Sequence, residues 1–256
     1  MLKIFDRQSR IDYWENYWAK VGRDPDHLTR DDIYPLYPTH KYIRTGMKIL
    51  EVGCGLGRVV KHYKCNNFQI IGFDYESQSV TNLHKQNPDL DLYVGDANHI
   101  PHKSNSFDAA LVFGTLSNME DPKVSLKEIW RILKPSGLLI ASVTNDNIAR
   151  RILEYLKEFK RESKSFSMMA YNVKEWEQVL QKEGFEVIEI TPVVTRLPLH
   201  KFFPFLRKSG QYSTFHDNDQ KLCLNSLGEQ VFKMSYKYIP FSITHGLVGV
   251  AHKVAP

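Results

Sequence analysis

The chain has 256 residues, of which 42% are hydrophobic and 25% charged, and its formal net charge at pH 7 is +5. This length suits one α/β domain, or one domain with a long insertion, and no apolar run approaches the length of a membrane span. The small positive charge permits an anionic substrate or a membrane surface. The sequence lacks the dense basic stripe typical of nucleic-acid binding, so no nucleic-acid partner is expected.

The sequence predicts neither a secreted protein nor one that depends on disulfides or a metal. The first residues lack the apolar core of a signal peptide, so a cytoplasmic protein is predicted. Cys54, Cys65 and Cys223 show no CxxC or His–Cys spacing. We therefore expect neither a disulfide framework nor a metal site.

The N-terminal segment predicts a helical cap. Apolar side chains recur at Ile11, Trp14, Trp18 and Val21, which is the spacing of an amphipathic helix. The chain that follows is rich in proline and aromatic residues, which is typical of a loop with short helical turns. Residues 1–46 are therefore assigned to an N-terminal cap.

From residue 47 the pattern changes to strands that alternate with helices. Strands are predicted in "MKILEV", "QIIGFD", "LDLYVGD", "FDAALVFG" and "GLLIASVTN". Helices are predicted in "RVVKHYK", "ESQSVTNLHKQN" and "PKVSLKEIWRILKP", the last with a proline stop. This alternation predicts a parallel sheet with helices on both faces.

The second half predicts two more strands and a long insertion. Residues 145–165 are predicted to be helical, and a clear amphipathic helix runs from a cap at Asn172 to Gly184. The strands are "FEVIEITPVV" and "HGLVGVAHKV". The segment 195–240 between them is longer than a hairpin needs, so it is a candidate lid or substrate-binding element. A single domain, 1–256, is predicted.

The stretch "ILEVGCGLGR" places three glycines between the first strand and the first helix. Such a turn lets a ligand touch backbone directly, although a tight turn without a ligand has the same pattern. Asp74 ends the second predicted strand, where a carboxylate can accept both hydroxyls of a ribose, and Asp96 ends the third. The alternative is that these two acids only cap the helices that follow.

The spacing of the glycines separates two classes of ligand. Dinucleotide sites prefer GxGxxG, with a pyrophosphate at the helix N-terminus. Here Gly53, Gly55 and Gly57 alternate and Glu51 precedes them. An acid beside the turn disfavours a pyrophosphate and favours a ligand with an ammonium group. S-adenosylmethionine fits, because it combines an adenosine and an ammonium with no phosphate.

In several segments the chain resembles the class I S-adenosylmethionine-dependent methyltransferases, and within them the small-molecule group typified by the quinone-biosynthesis enzymes. The matching segments are "ILEVGCGLG", "IIGFD", "VGDANHIPHKSNSFDAALVFGTLSNMED" and "LKEIWRILKPSGLLIASV". The resemblance implies a Rossmann-like sheet of seven strands, mostly parallel with an antiparallel last strand. It implies S-adenosyl-L-methionine as the cofactor.

The resemblance also implies a set of cofactor-binding residues. They are Glu51, Gly53, Cys54, Gly55, Gly57, Asp74, Tyr75, Asp96, Ala97, Phe113 and Gly114. The glycine turn with Glu51 would lie under the methionine portion, with Cys54 as a small packing residue inside it. The backbone carbonyls of Phe113 and Gly114 would lie near the ammonium group.

The nucleoside half of the cofactor would contact four residues. Asp74 would accept the ribose hydroxyls, and Tyr75 would lie against the adenine. Asp96 and the amide of Ala97 would hydrogen-bond the edge of the ring.

Methyl transfer from a sulfonium is an in-line displacement, and a general base is needed only when the acceptor carries a proton that must leave. Many relatives have a histidine after the fourth strand, where this chain has "FGTLSNMED". Thr115, Ser117 and Asn118 can orient an acceptor, but none is a good base. The predicted bases are His216 and His200, because the insertion should fold over the acceptor side.

The acceptor is predicted to be a small or lipid-like molecule with an apolar part that can also carry negative charge, with O- or C-methylation favoured. Residues 196–208 interleave basic and aromatic side chains, which suits a membrane-surface segment, an apolar pocket with a basic rim, or a plain lid helix. Two other functions stay open. One is a methyltransferase for RNA or protein, and the other is a non-catalytic nucleoside-binding protein on the same fold.

Overall fold

The computed structural model describes residues 39, 41–119, 121–148, 151, 169–193, 205, 225–244 and 246–254. Its strands are β1 (Lys48–Val52), β2 (Gln69–Asp74), β3 (Asp91–Val94), β4 (Phe107–Val112), β5 (Leu133–Asn145), β6 (Ala170–Tyr171), β7 (Phe185–Val193) and β8 (Gly246–Lys253). The helices with described bounds are α1 (Arg58–Cys65), α2 (Ser77–Gln86), α3 (Pro122–Ile132), α4 (Val173–Lys182), α5 (Ser226–Tyr238) and α6 (Pro240–Ile243). A 3-10 turn, Leu116–Asn118, follows β4.

The strands form one mixed sheet in the order β3-β2-β1-β4-β5-β8-β7. The first five strands pair in parallel along this order, whereas β8 runs antiparallel to both β5 and β7. The two-residue strand β6 pairs in parallel with the end of β5 and lies off this path. The predicted sheet with an antiparallel last strand is therefore confirmed. Strand β6 was not predicted, because two residues carry no periodicity.

Helices cover both faces of the sheet, as predicted. Consecutive side chains of β1 enter different cores, because side chains alternate along a strand. Ile49 packs with side chains of α1 and α2, and Leu50 packs with side chains of α3 and α4. A parallel sheet buried on both faces leaves only its edges for ligands. The turns after β1, β2, β3 and β4 share the edge formed by the carboxyl ends of these strands.

The amphipathic helix after β6 is confirmed and has the predicted cap. The side chain of Asn172 accepts a hydrogen bond from the amide of Glu175, whose own carboxylate accepts from the amide of Asn172. Trp176 and Leu180 are fully buried against the sheet. Gly184 follows the helix with φ of 84°. The local sequence therefore determines both ends of α4.

Among the element boundaries that differ from the sequence-based prediction, two have a local cause. Strand β3 ends at Val94 rather than at Asp96, because the carboxylate of Asp96 accepts from the amide of Asn98 and closes a local turn. Helix α3 ends at Ile132, and β5 begins immediately afterwards. Pro135 disfavours a helical conformation for the residue before it, so the helix cannot continue to the proline.

Several predictions of the N-terminal and C-terminal segments fall outside the described residues. The cap, 1–46, is described only at residues 39 and 41–46, and most of the predicted helix 145–165 is not described. The predicted lid, 195–240, is described at Phe205 and from Asn225 onward, where α5 and the start of α6 lie. Within the described ranges, no helix combines the length and apolar character needed to cross a membrane.

Candidate active site

The turn after β1 is built from three glycines with positive φ. The φ angles of Gly53, Gly55 and Gly57 are 76°, 49° and 73°, and Gly57 is also the N-cap of α1. The amides of Gly53 and Cys54 both donate to the carbonyl of Phe73, at 2.9 and 2.8 Å. These bonds tie the turn to the end of β2. A left-handed conformation at alternate residues requires glycine, so the spacing in the sequence follows from the backbone path.

The first glycine is also required by the turn after β4. A Cβ atom at Gly53 would lie 2.2 Å from Oγ1 of Thr115. That oxygen in turn donates to the carbonyl of Val52 at 3.2 Å. The sequence suggested a ligand as the reason for this glycine. The structure adds a contact within the chain, between residues that sequence reasoning did not connect.

Glu51 lies beneath the glycine turn and is 4% exposed. Its Oε2 accepts a hydrogen bond from the amide of Val60, in the first turn of α1, at 2.9 Å. Burial raises the pKa of Glu51 to about 8; the bond from Val60 and the charge of Arg58 oppose this shift, and Asp74 adds to it. A carboxyl group with this pKa is mostly protonated at pH 7, and a nearby cation would favour its ionised form by offsetting the cost of burying the charge.

Asp74 is the last residue of β2 and joins that strand to the glycine turn. Its Oδ2 accepts from the amide of Gly55 at 2.8 Å, and its Oδ1 accepts from the amide of Glu76 at 3.0 Å. The N-cap of α2 is Glu76, so the helix-capping alternative is wrong for Asp74. Each carboxylate oxygen keeps a lone pair that can accept from a further donor, such as a sugar hydroxyl.

Tyr75, Asp96 and Ala97 lie next to Asp74 at the same edge, because the amide of Gly95 donates to the carbonyl of Asp74 at 3.0 Å. The ring of Tyr75 is 59% exposed, Asp96 is exposed and Ala97 is buried. No helix begins between β3 and β4 in the described residues 95–106. The capping alternative is therefore wrong for Asp96 as well.

The turn after β4 holds Phe113 and Gly114 beside the glycine turn, because β4 pairs with β1. Gly114 has φ of 72°, and its amide donates to Oγ of Ser142 at 2.8 Å. Its carbonyl accepts from Nδ2 of Asn118. Ser142, on β5, was missed by sequence reasoning; a serine within the apolar run 138–143 was the available signal.

Ser117 connects the same turn to β5 and to the residue that precedes β6. Its Oγ accepts from the amide of Thr144 at 2.8 Å, and its carbonyl accepts from the amide of Met169 at 2.7 Å. Ser117 is 2% exposed. It was predicted to orient an acceptor. The structure instead uses its hydroxyl to hold the fold together.

A cleft of about 410 Å³ opens where β5 and β6 end. Its lining comes from the segment after β5, from the start of α4 and from α6: Asn145, Asp146, Asn147, Ile148, Arg151, Asn172, Val173, Lys174, Phe241 and Ser242. Nδ2 of Asn145 donates to the carbonyls of Phe241 and Thr244, at 2.8 and 3.1 Å, and so fixes α6 at this position. The cleft combines apolar walls, amide groups and an exposed lysine.

Residues 50–141 match the family model described as a methyltransferase domain. A demethylmenaquinone methyltransferase of Renibacterium salmoninarum is 31% identical, over 48% of this chain and 61% of that enzyme. Together with the fold, these matches support a class I S-adenosylmethionine-dependent methyltransferase.

Two further comparisons extend over more of the methyltransferase. An uncharacterized protein of Methanocaldococcus jannaschii is 28% identical over 78% of this chain and 88% of its own length. A solved complex of the Haloferax volcanii Trm112 methyltransferase activator with a methyltransferase contains a chain of the same fold. It has a TM-score of 0.68 and 20% identity, over 97% of this chain and 100% of that chain.

The family match divides the methyltransferase into two parts. It contains all the residues predicted to bind the cofactor, from Glu51 to Gly114, and it ends within β5 at residue 141. The residues that line the cleft all lie beyond it. The family match therefore contains the residues predicted to bind the cofactor and none of the residues that line the cleft.

The predicted bases, His200 and His216, lie outside the described residues. The segment 196–208 is described only at Phe205, whose side chain is 65% exposed.

Proposed function

We propose that this methyltransferase binds S-adenosyl-L-methionine along the carboxyl ends of β1 to β4. We propose further that it transfers the methyl group to a small or lipid-like acceptor, at oxygen or carbon. The observation that carries the proposal is the double role of Asp74. One oxygen holds the amide of Gly55, so a sugar bound to this carboxylate would lie directly against the glycine turn.

The electrostatics beneath the turn support a cationic ligand over a phosphate. Glu51 is buried and pays the cost of desolvation when it ionises. An ammonium group above the turn would offset that cost, whereas a pyrophosphate would increase it. Cys54 is 5% exposed inside the turn and packs in the core, so we assign it no chemical role.

The remaining cofactor contacts follow from position. Tyr75 would cover the adenine, Asp96 and the Ala97 amide would bind its edge, and the carbonyls of Phe113 and Gly114 would approach the ammonium group. The cofactor supplies an activated methyl group on sulfur. The chain contributes by holding the acceptor in line with that group, which can lower the barrier by about 7–11 kcal/mol.

The cleft at the ends of β5 and β6 supports a small acceptor. Ile148, Val173 and Phe241 provide apolar walls, and Lys174 provides a positive charge at the start of α4. An acceptor with an apolar part and an anionic group would satisfy both. The bonds from Asn145 to α6 bring the end of the 195–240 segment to this cleft, which supports its assignment as a lid.

Two assignments concern segments outside the described residues. We propose His216 or His200 as the general base, because both belong to the insertion. We propose residues 1–46 as a cap, and residues 196–208 as the part of the lid that meets an apolar acceptor or a membrane surface. His216→Gln or His200→Gln should lower kcat while leaving the cofactor Kd unchanged.

The cofactor assignment is tested by titration calorimetry with S-adenosylmethionine. Asp74→Ala should raise Kd by at least about 100-fold, because two hydrogen bonds to a charged group are lost. Asp89→Ala is the matched control, since Asp89 is an exposed acid in the loop before β3. Equal affinity of the two variants would refute the assignment.

The acceptor is tested by incubating the enzyme with cofactor and a metabolite extract and searching for products heavier by one methylene. With a cofactor labelled in its methyl group, label found only in protein or RNA would favour a second candidate, a methyltransferase for macromolecules. That candidate is supported by the similarity to an eEF1A lysine and N-terminal methyltransferase of Danio rerio, which is 28% identical over 57% of this chain and 23% of that enzyme. Absence of turnover with every acceptor class would contradict both.

A further inference from the structure

The loop that follows β3, residues 96–102, is held by one face of α3. Ser125, Glu128 and Arg131 are spaced three residues apart, so they lie along one side of the helix. Each of the three side chains makes a hydrogen bond to the 96–102 loop. This loop carries the proposed contacts to the adenine edge.

Arg131 and Glu128 grip both backbone groups of Ile100. The amide of Ile100 donates to Oε2 of Glu128 at 2.9 Å, and its carbonyl accepts from Nη2 of Arg131 at 2.8 Å. Nη1 of Arg131 also donates to the carbonyl of His102 at 2.7 Å. The guanidinium binds the Glu128 carboxylate in a fork, through Nε to Oε1 and Nη2 to Oε2, both at 2.8 Å.

A second chain of bonds reaches Asp96 itself. Ser125 is fully buried, and its hydroxyl donates to Oδ1 of Asn98 at 2.7 Å. The amide of Asn98 donates to Oδ1 of Asp96 at 2.8 Å. The position of the Asp96 carboxylate therefore depends on the contact between Ser125 of α3 and Asn98 of the loop.

We call Glu128 and Arg131 the clamp. The clamp determines the geometry of the 96–102 loop, whereas other contacts keep the loop attached to the core. Ala97 and Ile100 are 6% and 1% exposed, so their side chains stay anchored in the core without the clamp. Arg131 and Glu128 are 34% and 20% exposed, so their ion pair alone contributes modest stability. Only the planar guanidinium of Arg131 can bind one carboxylate and two carbonyls at the same time.

We propose that Glu128 and Arg131 are positioning residues for adenine recognition: by clamping the backbone at Ile100 they hold Asp96 and the Ala97 amide in register with the ring edge. This inference rests on the proposed cofactor role of the 96–102 loop. Its consequence is that the clamp governs discrimination of the base and leaves the contacts to ribose and methionine intact.

The test compares two ligands by calorimetry: S-adenosylhomocysteine and its inosine counterpart, in which a carbonyl replaces the 6-amino group. The natural chain should prefer the adenine ligand by about tenfold or more, since the bond from the 6-amino group to the Asp96 carboxylate is exchanged for repulsion and N1, which now carries a proton, no longer accepts from the Ala97 amide. Arg131→Met should lose most of this preference while its affinity for the inosine ligand stays within about twofold, because that ligand makes no edge contact to lose. Lys127→Met, on the exposed side of α3, is the matched control and should keep the preference.

Two conservative variants separate positioning from folding. Arg131→Lys keeps the charge without the fork, so its preference should be intermediate. Glu128→Gln keeps the size of the side chain and should reduce the preference even if Arg131→Met does not fold.

Each contrary result has a distinct meaning. A preference that survives in Arg131→Met and Glu128→Gln overturns the inference, as does equal weakening of both ligands. A natural chain that binds both ligands equally overturns the adenine role of the loop. A natural chain that binds neither overturns the proposed function and this inference with it.

Discussion

The buried carboxyl of Glu51 should make the free protein less stable as the pH rises. Its pKa lies at about 8 in the folded chain against an ordinary value of 4.5. Below pH 4.5 the group is protonated in both states, so it has no effect on folding. Between pH 4.5 and about 8 the unfolded chain ionises while the folded chain keeps its proton, so stability is lost progressively across this window.

The size of the effect follows from the shift. Each unit of pKa difference corresponds to about 1.4 kcal/mol. The span from 4.5 to about 8 therefore amounts to a loss of about 5 kcal/mol. This is a large fraction of the stability of an ordinary domain, so the effect should be measurable.

Glu51→Gln isolates this contribution. The amide is neutral and of similar size, and its oxygen can still accept from the amide of Val60. The free energy of unfolding of the variant, relative to the natural chain, should rise by about 4 kcal/mol between pH 5 and pH 8.5. Urea denaturation followed by tryptophan fluorescence at both pH values measures it, with the exposed Glu186→Gln as the matched control. A difference that does not change with pH would show that Glu51 is ionised in the folded chain, and the reasoning would fail.

Three other outcomes are expected. Cofactor binding at pH 7 should release about one proton as Glu51 ionises against the ammonium group, so calorimetric heats in phosphate and Tris should differ. Gly57→Ala combines a φ of 73° with a Cβ placed 2.4 Å from Cδ2 of the buried Leu83, whereas Gly46→Ala has a φ of 88° and no atom within 4 Å. Urea denaturation should therefore show a loss of about 1–2 kcal/mol for Gly46→Ala and a larger loss for Gly57→Ala; equal losses would mean that Leu83 yields freely. Asn172→Ala should cost about 1 kcal/mol by removing the cap of α4, and Asn172→Asp should restore it.

Features that depend on neighbours in the chain could be predicted from the sequence. The cap at Asn172, the strand end at Asp74 and the glycine turn each follow from a few adjacent residues. Backbone sterics and local hydrogen bonds decide such features within one or two turns of chain. The order of the strands came from the family resemblance rather than from periodicity.

Errors arose where a local pattern competed with a tertiary contact. The third strand was predicted to extend to Asp96, through "LDLYVGD", but it ends at Val94 and the bond from the Asn98 amide to Asp96 forms a local turn there. Ser117 follows β4, and the sequence suggested that its hydroxyl can orient an acceptor. Its hydroxyl is used instead by Thr144, a residue far along the chain that becomes its neighbour only in the folded sheet.

The sequence by itself determined the alternation of strands and helices, the position of the glycine turn and the acids beside it, because sterics and periodicity act over short distances. Only the tertiary structure decided that Thr115 contacts Gly53, that burial raises the pKa of Glu51 and that Arg131 binds the loop at Ile100. Each of these depends on atoms brought together from distant segments, and on how much water those atoms exclude.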